Sequence, residues 1–455
     1  MKKITKRAVS SLVLLVLTLS IILGSLSSCK LLYYVAETKE EITENISASL
    51  ENDGTKNKYV SDYLRYWGFP LFDRIKIVVF EECFKSEYNY EGGMPKTLTH
   101  AVETAELFLE HYYDKLELSD KTAVTDSLLY CYVAALDDPY AIYRPPVESE
   151  EYSEDMSGSF GGIGVTVQYN DTDESIMINT VYSGSPAEKA GIKEGDFIYA
   201  IDGKTVKELG YTNAVNHVRG KIGTSVELTL IRNGEYVTVT AIRAKVEEVN
   251  VECTIDKENN VAYVRIVAFK GNTYSQFVKA IDELEEAKVD GIIFDLRGNP
   301  GGYLASVCDV LSYILPTDKI LVSYRYSNRD TVVLKSTDDE GGDHVLTLPF
   351  TIICNEYTAS AGEIFTAALR DYRNDKLLSA TIVGTTTYKK GIMQNTYYYT
   401  DGSSVTMTVS YYDPPCGVNY HGIGVTPDVY VENAADEDLQ LKTAYDELFK
   451  LINDN

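Results

Sequence analysis

The chain has 455 residues, of which 44% are hydrophobic and 24% charged, and this length allows two or three globular domains. Its formal net charge of −26 repels nucleic acid and anionic lipid headgroups, which argues against a nucleic-acid-binding function. The seven cysteines are widely spaced and do not cluster with the five histidines, so the sequence predicts no metal site.

The amino terminus has the pattern of an export signal. Four basic residues lie within the first seven positions, an apolar run extends from Leu12 to Leu23, and small residues then lead to Cys29. The run is too short for a membrane-spanning helix and is typical of a secretory signal. The segment before Cys29 resembles the lipobox of bacterial lipoproteins, which implies cleavage after residue 28 and lipidation of Cys29. A plain signal peptide followed by an incidental cysteine is the alternative.

These features predict a signal peptide over residues 1–28 and a lipid-anchored tether over residues 29–58. We therefore expect an extracytoplasmic protein that is anchored to the bacterial cell membrane through its lipid. Residues 59–150 are predicted to form a helical region followed by a linker, because apolar residues recur there at three- and four-residue spacing. The helical pattern ends at Pro139, and the acidic stretch from Glu148 to Ser159 is typical of a linker.

Short alternating strands with glycine-rich turns follow, and the turn Asn233-Gly234 predicts a hairpin. A glycine-rich loop and a downstream SPAEKAGIKEGD segment together resemble a PDZ domain, predicted over residues 151–246. The resemblance implies that backbone amides of the loop bind the free carboxylate of a peptide that adds a strand to the sheet edge. The loop residues are Gly162, Ile163, Gly164 and Val165. A small β-domain that has lost binding is the alternative.

From residue 247 to 433, strands and helices alternate. The apolar strands Ile292–Phe294 and Leu348–Cys354 are typical of a buried parallel sheet, which indicates an α/β domain. A charged amphipathic helix is predicted over residues 434–455.

Three segments of this α/β domain carry groups suited to nucleophilic catalysis. DLRGNPGG (295–302) follows the first apolar strand, TASAGE (358–363) follows the second, and YKKGIMQ (388–394) comes later. Amides at a tight turn or at the start of a helix stabilise negative charge, and a buried lysine can be neutral and act as a base. Taken singly, each segment also fits a structural role: a glycine turn, a helix N-cap serine or an exposed lysine.

Together with HGIGVTPD (421–428), these segments resemble the carboxy-terminal processing, or tail-specific, serine peptidases over most of the chain from about residue 136. The resemblance implies a multidomain α/β fold: a helical amino-terminal region, a PDZ-like β-domain, and an αββ protease core related to crotonase and ClpP. It implies that Ser360 is the nucleophile, that Lys390 is the general base and that Gln394 holds Lys390. The oxyanion hole would be formed by the amide of Ala361 and that of Gly301 or Gly302, without a metal or a cofactor.

Two features depart from the family pattern. Lys389 occupies the position of the glycine expected before the catalytic lysine, and the connection from residue 373 to 381 is a few residues longer than usual. On an extended strand Lys390 and Gln394 share one face and Lys389 faces the other way, so we expect Lys390 to be the base.

The sequence thus predicts an exported, lipid-anchored serine endopeptidase that acts through an acyl-enzyme and recognises the free, apolar carboxyl tails of extracytoplasmic proteins. One alternative is a catalytically inactive peptide-binding lipoprotein, against which the presence of both Ser360 and Lys390 argues. Another is a non-peptidase acyl-binding enzyme of crotonase-like fold, which the PDZ-like segments and the serine–lysine pair disfavour.

Overall fold

A computed structural model describes most of the chain from residue 138 onward. The predictions for the signal peptide, Cys29, the tether and most of the helical region lie outside the described residues. No helix within the described part of the chain is long and apolar enough to cross a membrane. The described residues are 126, 129–130, 133, 138–170, 175–325, 331–337, 346–399, 401–434 and 436–454.

The acidic stretch predicted to be a linker is a helix. Strand β1 (Ile142–Arg144) is followed by helix α1 (Pro146–Ser157). A proline fits the first turn of a helix, where its missing N–H is not needed, and Glu148 in that turn complements the helix dipole. Gly158 ends the helix with φ 73°. A linker was predicted because the stretch lacks an apolar face. The prediction was wrong, since both termini of the stretch carry helix signals.

The predicted PDZ domain is an antiparallel sheet with three short helices. The sheet order is β3-β4-β5-β7-β8 with β6 beside β5, so β3 is an edge strand, while β2 pairs with β9 where the chain enters and leaves the domain. The predicted hairpin joins β7 and β8 through Asn233 and Gly234, both with positive φ. The elements are β2 (Ser159–Gly162), β3 (Val165–Asn170), β4 (Ser175–Val181), α2 (Pro186–Lys189), β5 (Phe197–Ile201), β6 (Lys204–Thr205), α3 (Val206–Leu209), α4 (Tyr211–Val218), β7 (Ser225–Arg232), β8 (Glu235–Ile242) and β9 (Ala244–Glu247).

The remainder of the described chain forms an α/β unit with two sheets. The central sheet has the order β10-β11-β12-β15-β16-β19 and is parallel except for β10; the second, antiparallel sheet has the order β1-β18-β13-β14, with β17 beside β18. The elements are β10 (Val251–Asp256), β11 (Val261–Ile266), α5 (Thr273–Ala287), β12 (Gly291–Asp295), α6 (Leu304–Ile314), β13 (Ile320–Arg325), β14 (Val332–Lys335), β15 (Phe350–Cys354), α7 (Ala361–Asn374), β16 (Ala380–Gly384), β17 (Ile392–Tyr398), β18 (Ser404–Asp413), β19 (Val429–Tyr430) and α8 (Leu439–Asp454).

The central sheet is buried on both faces. Phe294 of β12 packs against Phe277 of α5 and Phe365 of α7, whereas the neighbouring Ile293 contributes to a cluster on the other face with Leu448 of α8. This two-sided burial explains why β12 and β15 are apolar at nearly every position. The segments after β12, β15 and β16 all leave from the carboxyl edge of the sheet, where clefts form in such folds.

Candidate active site

Ser360 lies on a strained turn between β15 and α7. Its backbone has φ 52° and ψ −114°, a conformation that residues with a Cβ rarely adopt. The Glu363 amide donates to the carbonyl oxygen of Ser360 at 2.9 Å, so the first turn of α7 begins at this residue. The structure thus presents a half-buried hydroxyl at the amino terminus of a buried helix, where the dipole favours negative charge.

Two backbone amides of the predicted oxyanion hole, those of Ala361 and Gly302, donate to no acceptor among the hydrogen bonds of the described residues. Ala361 is the first residue of α7, and its amide therefore has no acceptor within the helix. The Gly301 amide donates to Asn299 Oδ1 at 2.8 Å, whereas the hydrogen bonds among the described residues include no acceptor for the Gly302 amide. Of the two glycine alternatives, Gly302 therefore has the available donor.

Gly301 instead permits close packing against the serine turn. A Cβ on Gly301 would lie 2.8 Å from the Cβ of Ser360 and 2.9 Å from the Ala361 amide nitrogen. Only glycine fits this approach, which brings the 295–302 segment against Ser360.

Lys390 is half-buried and paired with Gln394. Its Nζ donates to Gln394 Oε1 at 2.6 Å and lies 4.8 Å from the centroid of the Tyr140 ring. Burial lowers the pKa of Lys390, while the negative charges of Asp138 and Glu363 oppose the shift. In the part of the chain that the structure describes, no hydrogen bond joins Lys390 Nζ to Ser360 Oγ.

The strand predicted around Lys390 begins later than expected. Residues 385–391 form a loop, β17 begins at Ile392, and a β-bulge lies between Met393 and Gln394. Two-residue alternation does not apply across a loop and a bulge, so the argument from strand faces was wrong although Lys390 and Gln394 do meet. Lys389 is exposed and has φ 81°, a backbone conformation that favours the family's glycine.

The buried carboxylate of Glu363 joins the serine and lysine segments. Its Oε2 accepts hydrogen bonds from the amides of Ser360 at 3.0 Å and Lys390 at 2.8 Å. Its Oε1 accepts from Thr387 Oγ1 at 2.5 Å and from the Lys389 amide at 2.8 Å. Burial raises the pKa of Glu363, and these hydrogen bonds oppose the shift by stabilising the anion. Sequence reasoning missed this residue, because the spacing Ser-x-x-Glu signals only a local helix cap.

The HGIGVTPD segment supports the lysine loop from its other side. The Val425 amide donates to Thr387 Oγ1 at 2.8 Å, and the Gly422 amide donates to the Lys389 carbonyl oxygen at 3.0 Å. Gly424 has φ 86°, and a Cβ there would lie 2.9 Å from the Thr387 carbonyl oxygen. The glycines of this motif therefore allow backbone to pack on backbone beside Lys390.

The glycine-rich loop of the PDZ-like domain leads into its edge strand. Gly162 ends β2 and pairs with Ala244 of β9, and Val165 begins β3. Between them, the carbonyl oxygens of Ile163 and Gly164 accept hydrogen bonds from downstream amides, at 2.8 and 3.0 Å respectively. The loop is thus fixed through its carbonyl groups at the start of β3, which is an edge strand of the sheet within the described residues.

The four cysteines within the described residues are free thiols. Burial raises the pKa of Cys308 and of Cys354 to about 12, so neither suits nucleophilic attack. Among the residues that the structure describes, no group of three His, Cys, Asp or Glu side chains could hold a metal ion.

Comparison with known proteins identifies the family. Residues 260–431 match peptidase family S41, and residues 161–242 match the PDZ domain family. The probable CtpA-like serine protease of Staphylococcus haemolyticus is 30% identical over 410 residues, which cover 88% of this chain and 79% of that protein. The chain belongs to peptidase family S41. The S41 match lies within the α/β unit and contains the segments 295–302, 358–363 and 388–394.

The chain is also similar to two other proteases. The carboxy-terminal processing protease CtpA of Bacillus subtilis is 34% identical over 321 residues, which cover 70% of this chain and 66% of that protein. The solved structure of the photosystem II D1 C-terminal processing protease is 26% identical, with a TM-score of 0.45 over 84% of this chain and 94% of that one. The predicted family of carboxy-terminal processing serine peptidases and the α/β fold with a PDZ domain are confirmed.

Proposed function

We propose that this S41 peptidase is an exported, lipid-anchored endopeptidase in which Ser360 is the nucleophile and Lys390 the general base. One observation supports the assignment of this pair. A single buried carboxylate, Glu363, accepts hydrogen bonds from the amides of both residues and so holds the serine turn and the lysine loop together. Such a rigid link supports a shared catalytic role, because reacting groups must be held within a narrow range of geometry.

In the proposed reaction, the neutral amine of Lys390 removes the Oγ proton as Ser360 attacks the peptide carbonyl carbon. The amides of Ala361 and Gly302 stabilise the tetrahedral oxyanion. The Lys390 ammonium then protonates the leaving amine, and water hydrolyses the acyl-enzyme. Gln394 holds Nζ throughout by accepting one of its hydrogens, which leaves the nitrogen lone pair free for Ser360.

Alanine substitution tests the pair directly. Ser360→Ala and Lys390→Ala should each lower kcat/KM at least ~1,000-fold toward a peptide with a free, apolar carboxyl end. Both variants should keep the wild-type circular dichroism spectrum and peptide affinity. Binding without cleavage by the wild type itself would instead favour the inactive peptide-binding lipoprotein.

The rate should increase with pH as Lys390 loses its proton. Burial lowers the pKa of Lys390, so the midpoint of the rise in kcat/KM should fall below the ~10.4 of a free lysine. A pH profile of wild-type cleavage measures this midpoint. A rate independent of pH between about 6 and 10 would contradict a lysine base.

The PDZ domain is proposed to bind the substrate's free, apolar carboxyl terminus through the loop from Gly162 to Val165. Isothermal titration with two otherwise identical peptides, one free and one amidated at its carboxyl end, tests this recognition in the Ser360→Ala variant. Amidation should weaken binding at least about tenfold, because it removes the charge that the loop amides bind. Equal affinities would refute carboxylate recognition.

Lipid anchoring rests on the amino-terminal pattern, which lies outside the described residues. Cys29 is proposed as the mature, lipidated amino terminus, and Cys29→Ala should prevent lipidation and release the protein from the membrane fraction. Metabolic labelling with palmitate and cell fractionation measure both effects. Unchanged membrane association of Cys29→Ala would contradict the proposal.

A further inference from the structure

A turn from a distant part of the sequence contacts the Lys390–Gln394 pair. Tyr140 lies in the Asp138–Pro139–Tyr140 turn before β1, and its ring centroid is 4.8 Å from Lys390 Nζ. Gln394 Nε2 donates to the Tyr140 carbonyl oxygen at 2.6 Å, a contact between residues 254 positions apart in the chain. The turn thus touches both members of the pair, one through a ring and the other through backbone.

Asp138 fixes this turn to the sheet that carries Gln394. The residue is 3% exposed, and its carboxylate accepts hydrogen bonds from the Tyr140 amide at 3.0 Å, the Thr408 amide at 2.9 Å and Thr408 Oγ1 at 3.0 Å. Thr408 of β18 pairs directly with Gln394 of β17. Because three donors satisfy the carboxylate, the turn has one well-defined position relative to Gln394.

We propose that Tyr140 is a positioning residue for the catalytic lysine and that Asp138 anchors it. This inference rests on the proposed function of Lys390. The amide of Gln394 has a donor end and an acceptor end, and the Tyr140 carbonyl accepts from the donor end. The acceptor end must then face Lys390 Nζ, while the face of the Tyr140 ring covers the same nitrogen and limits its movement.

The ring also affects the protonation of Lys390. An aromatic face attracts a cation but not a neutral amine, so the contact stabilises the ammonium form. Asp138 from the turn and Glu363 from α7 act in the same direction, and burial acts in the opposite one. Tyr388, in the loop that carries Lys390, is another titratable group near Tyr140. Loss of the ring therefore lowers the pKa of Lys390 and loosens its position.

Tyr140→Leu tests the inference, because leucine keeps an apolar side chain but has no aromatic face. We expect kcat to fall about tenfold or more at little change in KM, and the pH midpoint of kcat/KM to move down by about one unit. Tyr140→Phe keeps the ring, so its kcat and its pH midpoint of kcat/KM should equal those of the wild type. Tyr143→Leu is the matched control, because Tyr143 is a buried tyrosine of the adjacent β1; it should lower the melting temperature without moving the pH midpoint.

A direct measurement separates this inference from the proposed function. In protein labelled with ¹³C at lysine Cε, the resonance that is lost in Lys390→Ala reports the titration of Lys390. Its pKa should be lower in Tyr140→Leu than in the wild type. If Lys390→Ala cleaves normally, the proposed base is wrong. If Lys390→Ala is inactive but Tyr140→Leu has the wild-type kcat and titration, the positioning inference alone is overturned.

Discussion

Ser360 and Lys389 both have a backbone conformation that is costly for a residue with a Cβ. Positive φ costs such residues on the order of 1–2 kcal/mol. At Ser360 the strain accompanies a hydroxyl that the proposed reaction requires. At Lys389 the exposed side chain has no comparable role, and the family has glycine there.

Replacing Lys389 by glycine should therefore stabilise the protein. We expect a gain of about 0.5–1 kcal/mol in the free energy of unfolding, because relief of strain exceeds the entropy that glycine adds to the unfolded chain. Urea unfolding measures this gain, and cleavage should persist because Lys390 is intact. Lys389→Ala is the control: it removes the same charge but keeps a Cβ at φ 81°, so it should give no gain. An equal gain in both variants would show that charge, not backbone strain, is responsible.

A negative charge introduced at Gln394 should raise the pKa of Lys390. In Gln394→Glu, a carboxylate replaces the amide oxygen that accepts from Nζ at 2.6 Å. A negative charge at this distance stabilises the ammonium, so the pKa of Lys390 should rise and the midpoint of kcat/KM should move to higher pH by about one unit or more. Asn395→Asp adds the same charge at the neighbouring position of β17 and should leave the midpoint nearly unchanged. A downward shift in Gln394→Glu would contradict the assignment of Lys390 as the base.

At the scale of elements, α7 organises the site through a single side chain. Glu363 accepts four hydrogen bonds and so connects the amino terminus of α7 with the loop between β16 and β17. In Glu363→Gln, one end of the amide is an NH₂ group that faces donors instead of accepting from them. We expect a loss of about 2–3 kcal/mol in the free energy of unfolding together with a large loss of cleavage.

The control for Glu363→Gln is Glu356→Gln, which makes the same chemical change at an exposed position of the same β15–α7 connection. Glu356 accepts from Thr385 Oγ1 at 3.0 Å but can exchange that partner for water. Its replacement should change unfolding by less than about 0.5 kcal/mol. Equal effects of the two substitutions would show that the buried network has no special importance.

The elements that sequence reasoning predicted correctly carry strong local signals. Strands β12 and β15 are apolar at nearly every position, and α5 has an apolar face at helical spacing. Helix α1 was missed because its sequence has no apolar face at helical spacing, and its proline and glycine helix signals lie only at its termini. The site residues came from family resemblance, whereas the contact of Tyr140 with Gln394 spans 254 positions and leaves no periodic or local signal.

At the scale of the whole molecule, Lys270 joins the PDZ domain's connections to the core. Its Nζ lies 2.6 Å from Asp155 of α1, before the domain, and 2.7 Å from Glu248, after it. The preceding residue, Phe269, donates its amide to the Gly301 carbonyl oxygen at 2.8 Å and accepts from the Tyr303 amide at 2.7 Å. Lys270, which pairs with both carboxylates, is therefore adjacent along the chain to Phe269, which is hydrogen-bonded to the proposed oxyanion-hole segment 295–302.

We therefore expect a change at Lys270 to affect the 295–302 segment beside Ser360. Lys270→Met keeps the apolar stem but leaves the two carboxylates without their cation. We expect faster hydrogen exchange at the amides of Phe269 and Tyr303, several-fold slower cleavage and unchanged affinity for a carboxyl-terminal peptide.

Lys450→Met is the matched control, because Lys450 pairs at 2.6 Å with Glu447 on the exposed surface of α8. Removal of such an exposed pair costs little, and the pair is far along the chain from the 295–302 segment. Hydrogen exchange at the amides of Phe269 and Tyr303 should therefore not change. Wild-type exchange rates at these two amides in Lys270→Met would show that the ion pairs fasten the domains without supporting the oxyanion loop. Faster exchange in Lys270→Met alone would establish that the contacts holding the PDZ domain also hold the Gly301–Gly302 turn beside Ser360.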